Sequence, residues 1–184
     1  MLGFIFRSTR DFPDTLSFKI LYCSLVRSVL EFSSCIWNPS YAFHSGRIER
    51  IQHRALRMLD GKSRSSVLSS SSSSPPYFLL ESSFNLLPLS IRREMFDMIS
   101  FFNILHSDID TSLIESININ VPGYSATRHT FPFRPQFVST NYLQNCPLTR
   151  FQRSANSLKD QIDFFSTSVS AIKIYYSRQL NLNQ

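Results

Sequence analysis

The chain has 184 residues, 42% of them hydrophobic, and 19 Lys and Arg against 13 Asp and Glu give it a formal charge of +6. That length can bury a core in one or two small domains. The positive residues are mostly Arg, whose planar fork engages two phosphate oxygens at once, so nucleic acid is a better partner than a membrane surface. Cys23, Cys35 and Cys146 are odd in number and widely spaced, which argues against a disulfide-stapled secreted domain and for reduced thiols inside a cell.

Leu2 to Phe12 reads as a short amphipathic segment, followed by a turn at Pro13-Asp14 with Asp14 or Thr15 free to cap the next helix. From Leu16 to Ile36 the chain is apolar around most of a helical circumference. Leu21, Leu25, Val29, Phe32 and Ile36 form the expected core row, with Tyr22, Val26 and Leu30 widening it. Lys19, Arg27 and Glu31 interrupt the stretch, so it is not read as a membrane span, and Arg27 and Glu31, four apart, are expected to pair. No leading basic segment or small-residue cleavage site marks a secretory signal, and the chain is expected to stay in the nucleus or cytoplasm.

The helix should stop at Trp37-Asn38-Pro39, because proline disfavours helical geometry at the residue before it. Trp37 and Pro39 are assigned as the hinge, with Trp37 packing there. A second helix is predicted from about Arg47 to Asp60, ending at Gly61 as a left-handed cap. It is two-faced. Ile48, Ile51, Ala55, Met58 and Leu59 point one way, and Arg47, Arg50, Arg54 and Arg57, spaced three, four and three, share an adjacent side. Lys62 and Arg64 extend this basic strip, whose bland alternative is a solvated face partly neutralised by Glu49 and Asp60.

Residues 63–76, with serines from Ser69 to Ser74 and then Pro75-Pro76, contain almost nothing that packs and read as a flexible linker. Tyr77 to Leu86 reads as a short helix. Ser90 opens a stronger one striped by Ile91, Met95, Met98, Ile99, Phe102 and Leu105, with Arg92, Arg93 and Glu94 outside the stripe. Asp108 to Ile117 is another short helix with Asp108 or Asp110 as its cap. Residues 118–147 are punctuated by prolines and read as extended chain, with short strands expected at Ile117 to Val121 and Phe131 to Val138 and with Phe131, Phe133, Phe137 and Tyr142 covering a core. Leu148 to Leu180 returns to helical spacing, with a bend near Ser166.

Enzymatic chemistry lacks its parts. Two-metal phosphoryl transfer needs converging carboxylates, and the close acidic pair Asp108 and Asp110 reads better as a helix cap. Gly61-Lys62-Ser63 lacks the earlier glycine of a phosphate-binding loop, the position holding Leu56. His44, His53, His106 and His129 do not fall at zinc-ligand spacing with the cysteines, so neither a metal nor a cofactor is expected.

Several strings, in order, resemble the C-terminal part of the reverse transcriptase of LINE-type, jockey-like non-LTR retrotransposons, the thumb and post-thumb region after the catalytic palm. LGFIFRSTRDF resembles the opening helix there. LYCSLVRSVLEFSSCIWNP is similar to the LYxSLVRxxLEYxSxxWxP signature, with Phe32 at its tyrosine. RIERIQHRALRML is similar to RIExxQRRFxR, with His53 at a basic position and Ala55 at an aromatic one. NLLPLSIRREMFDMISFFNILHSDID and NINVPGYSATR resemble the segments that follow, and FVSTNYLQNCPLTRFQRSANSL the TNYxxNxPxxR block.

The resemblance implies a mainly α fold: a thumb-like antiparallel hairpin over 1–62, the linker 63–76, and a post-thumb helical region over 77–184 with its extended segment at 118–147. It implies that the hairpin steadies a template-primer duplex through phosphate contacts from Arg47, Arg50, Arg54, Arg57, Lys62 and Arg64. Such contacts are weak, salt-dependent and indifferent to sequence. The family string that carries the YxDD strand does not occur in the chain, so no catalytic residue and no cofactor is expected here, the Mg of the parent polymerase being held by residues this chain lacks. Two alternatives stay open: a helical module that pairs with the polymerase palm, another protein or a second copy of itself, and a decayed product with no cellular role.

Overall fold

A computed structural model describes residues 1–11, 14–66, 75–106, 111–120 and 131–182. The fold is mainly α, as expected, and among the described residues every named element is a helix. The chain divides into two compact units. The first comprises Met1–Ser34, Pro39–Arg92 and Ser177–Gln184; the second comprises Cys35–Asn38 and Arg93–Tyr176. The units are thus not the two sides of the serine-rich stretch, and 77–92 belongs with the hairpin.

In the first unit, α1 (Leu2–Ser8) is followed by α2 (Thr15–Leu21), which Asp14 caps by accepting from the Leu16 amide at 3.0 Å. The chain then widens into a π-helical stretch, Tyr22–Arg27, closed by the Ser28 amide donating to the Cys23 carbonyl, and tightens again into α3 (Ser28–Glu31). Ser33 adopts φ 51° and breaks the helix before α4 (Ser34–Trp37). The single helix predicted to Ile36 is therefore interrupted.

Its buried row is also not the predicted one. Phe18, Tyr22 and Val26 enter the core, whereas Leu25, Val29, Phe32 and Ile36 are exposed and Leu21 is half-buried. Both rows advance by four residues and both are apolar, so periodicity could not choose between them. The break at Ser33 separates Phe32 and Ile36 from the rest.

The basic helix, α5 (Ala42–Ser66), is longer than predicted at both ends. Gly61 lies inside it with no positive φ, so it is not a cap, and the residues up to Ser66 that were assigned to the linker are helical. Ala55, Leu56 and Leu59 pack with Phe18, Tyr22, Val26 and Ile5, and with Leu80 of α6 (Tyr77–Ser83) and Leu86 beyond it. Just beyond the end of α6, Asn85 adopts φ 49°, which lets the Leu86 amide reach back to the Glu81 carbonyl at 2.8 Å. Gln52, fully buried, accepts from the Tyr22 hydroxyl at 3.3 Å and donates to the Leu87 carbonyl at 2.9 Å. That hydroxyl, deprived of water by burial, is held well above its ordinary titration range. Arg27 and Glu31 do pair, at 3.5 Å, and Glu31 also takes both forks of Arg92, one of them at 2.8 Å.

Helix α7 (Leu89–His106) begins in the first unit and continues in the second from Arg93. Met95, Met98 and Phe101 are buried, but so are Arg93 and Asp97, and Arg93 was expected outside the stripe. The second unit also contains α8 (Thr111–Glu115), α9 (Asn141–Gln144), α10 (Pro147–Ser157) and most of α11 (Val169–Leu182). Where two strands were expected in the extended segment, the described residues show one antiparallel bridge, Ile119 to Phe133. Of its aromatics only Phe133 covers a core, meeting Phe101 edge-on at 4.8 Å, while Phe137 and Tyr142 are exposed and Phe131 is half-exposed. Asn156 clamps Phe133 by both its backbone groups, accepting at 3.1 Å and donating at 2.8 Å.

Candidate nucleic-acid interface

Arg47, Arg50, Arg54 and Arg57 are all exposed on one side of α5, opposite the turns that bury Ala55, Leu56 and Leu59. Among the described residues none of the four is in an ion pair. Two are oriented by aromatic rings: Arg47 lies over Phe43 at 6.0 Å, and Arg57 over Tyr77 at 4.9 Å. Arg50, Arg54 and Arg57 line one cleft of about 670 Å³, together with Leu2, Ile51, His53, Met58 and Tyr77.

The acids expected to neutralise this face are turned elsewhere. Glu49 accepts from the amides of Leu89 and Ser90 at 2.9 and 3.2 Å, the otherwise unpaired amides at the start of α7. Asp60 pairs with Arg64 at 3.2 Å, one turn along. Arg64 is thereby partly neutralised, and the Lys62 ammonium donates to the Thr9 carbonyl. Lys62 and Arg64 consequently differ from the four arginines: they brace α5 within its own unit, although the sequence placed all six in one strip.

Trp37 keeps 41% of its surface exposed, and Pro39 is half-buried. Between them, Asn38 donates to Asp97 at 2.9 Å and accepts from Arg93 Nε at 3.1 Å. Asp97 in turn receives Arg150 through two nitrogens, at 2.9 and 3.2 Å, and Arg150 donates to the Cys35 carbonyl at 2.6 Å. These groups form one largely buried polar network within the second unit. It joins the WNP and NCPLTR strings, which are more than a hundred residues apart in sequence. Neither string announced this, because a buried Arg has no signature that distinguishes it from an exposed one.

Among the candidates weighed for catalysis, Asp108 and Asp110 lie outside the described residues, as does His129. His44, His53 and His106 do not join the cysteines in any metal-binding group among the described residues, and Cys23, Cys35 and Cys146 are free thiols. A different group does assemble: Glu49, His53 and Glu81 bring one ligand atom each to within 4.8 Å of one another. Its sequence signal was the Glu49-x-x-x-His53 spacing, which puts both side chains on one helical face. Its third member comes from across the serine-rich stretch. No described helix is long and apolar enough to cross a membrane. Comparison of the chain with known protein families, curated proteins and solved structures finds no match in any of the three.

Proposed function

We propose that this chain is thumb and post-thumb sequence of a LINE-type retrotransposon reverse transcriptase, and that in it α5 grips the sugar-phosphate backbone of a template-primer duplex. It binds without catalysing, since the YxDD string of the palm does not occur in it. The observation that supports binding is the row of four exposed arginines, none of them in an ion pair among the described residues. Phosphate oxygens are the partner that such a row can serve in parallel, one guanidinium to each. Tyr41 and Phe43, both exposed at the head of α5, add ring faces on which a frayed base can stack.

The test is binding of an RNA-DNA hybrid across a salt series. Four phosphate contacts give a slope of log K against log salt of about −3.6, and Arg50→Glu with Arg54→Glu should bring it near −2 while weakening affinity. Equal affinity and slope in the double variant would sink the proposal.

A second reading, a helical protein-interaction module, draws on a different surface. Leu16, Ile20, Leu25, Val29 and Phe32 are all more than 40% exposed along α2, the π-helical stretch and α3. It predicts self-association that persists at high salt, and a monomer by sedimentation at every concentration tried would count against it.

A further inference from the structure

We propose that Glu49, His53 and Glu81 form a site for a divalent transition-metal ion, zinc above others, which clasps α5 to α6 within the first unit. Glu49 and His53 stand one turn apart on α5, so their side chains leave the same face, and Glu81 reaches them from α6. The ligand atoms already lie within 4.8 Å of one another, and His53 Nε2 is 3.9 Å from Glu81 Oε1. Around a tetrahedral zinc with bonds near 2.1 Å the donor atoms are about 3.4 Å apart, so side-chain rotation of about an ångström closes the site. Two carboxylates and one imidazole leave the fourth position for water, the three-ligand coordination of an open zinc site.

The surroundings are those of supported ligands. The Leu89 and Ser90 amides hold the Glu49 carboxylate, which with two further lone pairs can still coordinate. Tyr77 stacks on the His53 ring at 3.9 Å and 7° and fixes its plane. Glu81 as a residue is only 8% exposed, so its carboxylate gets little help from water. Among the described residues no Lys or Arg is paired with Glu49 or Glu81. A divalent ion would neutralise both.

The experiment uses the full chain stripped with a chelator, then titrated with Zn²⁺ by calorimetry and thermal melting, with Co²⁺ as the optical probe. One equivalent should bind, raise Tm, and give cobalt ligand-field bands of a nitrogen and oxygen site. Glu81→Gln and, separately, His53→Gln should weaken zinc by more than about tenfold, the scale that even outer-shell partners reach. Metal-free Glu81→Gln should melt no lower than the parent, because the substitution removes a carboxylate facing Glu49, so loss of zinc binding there is not loss of fold. The proposal is overturned by a parent chain whose melting zinc does not shift, by undiminished binding in both variants, or by a thiolate-to-cobalt charge-transfer band, which would put the metal on a cysteine.

Discussion

Replacing Arg150 by Met should be among the most damaging single changes in the second unit. Asp97 has a side chain only 2% exposed, and its carboxylate is satisfied by two nitrogens of Arg150 and by Asn38. Burial pushes its carboxyl upward, and the hydrogen bond and charge of Arg150, then Asn38 and Arg93, work against this. Methionine matches the stem of Arg150 but leaves a buried carboxylate that has lost its main counter-charge, a class of change that costs about 3–5 kcal/mol. Adding Asp97→Leu should recover a large part of that loss, since a buried pair exchanged for apolar groups of like volume is often neutral. Urea unfolding followed by circular dichroism measures both. The two changes should couple by about 0.5–3 kcal/mol. If Arg150→Met lies within about 1 kcal/mol of the parent, or if the double variant loses the sum of the two single losses, the buried network is not what holds these segments.

Two further outcomes follow from individual positions. Gly61→Ala should stabilise the chain by up to about 1 kcal/mol, because Gly61 is helical, its φ is not positive and an added Cβ meets nothing within 4 Å; a lower Tm would restore the cap assignment. Glu94 accepts from the Tyr176 hydroxyl at 3.2 Å, yet burial, with Asp97 adding to it, holds its carboxyl above the ordinary 4.5. A carboxyl raised in the folded state contributes stability that is full below 4.5 and is lost as pH rises through the folded value. Glu94→Gln removes that dependence, so relative to the variant the parent should lose stability between acid and neutral pH. A difference that stays constant across the range would refute the assignment.

How much of this was legible in the sequence depends on what each residue had to reveal. Helix existence was legible at 89–106, 147–157 and 169–182, but the helical spacing expected to run on through Leu158, Ile162 and Phe165 to a bend near Ser166 is instead a non-helical stretch over 158–168. The orientation of the first helix was not legible. Its rows at Phe18-Tyr22-Val26 and Leu25-Val29 are equally apolar, and the choice rests on contacts with Ile5, Ala55 and Leu80 from other elements. Gly61 looked like a terminus because glycine is the usual left-handed cap, but helical glycine is merely about 1 kcal/mol worse than alanine, and here the helix continues through it. The Arg row was legible because its three-four-three spacing is local. Its lack of neutralising acids was not, because Glu49 answers to the amides of α7, forty residues away.

The arginines of this chain illustrate why charge alone does not locate an interface. Arg92, Arg93 and Arg150 sit in sequence contexts no less basic than that of Arg50, yet each is turned to a protein acceptor: Glu31, Asn38 and Asp97 respectively. Each folds its charge into the fold, where it can attract nothing else. Arg47, Arg50, Arg54 and Arg57 have no such acceptor among the described residues, and the two acids placed to supply one, Glu49 and Asp60, are committed to an amide pair and to Arg64. Solvation alone accounts for one exposed arginine. Four on a single face, three of them around one cleft, set up a positive field that a solvated face would ordinarily break with interspersed acids. That surplus is the physical reason to test α5 with a polyanion first. It also makes the test sharp, because reversing two of the four charges leaves the buried network around Asp97 untouched.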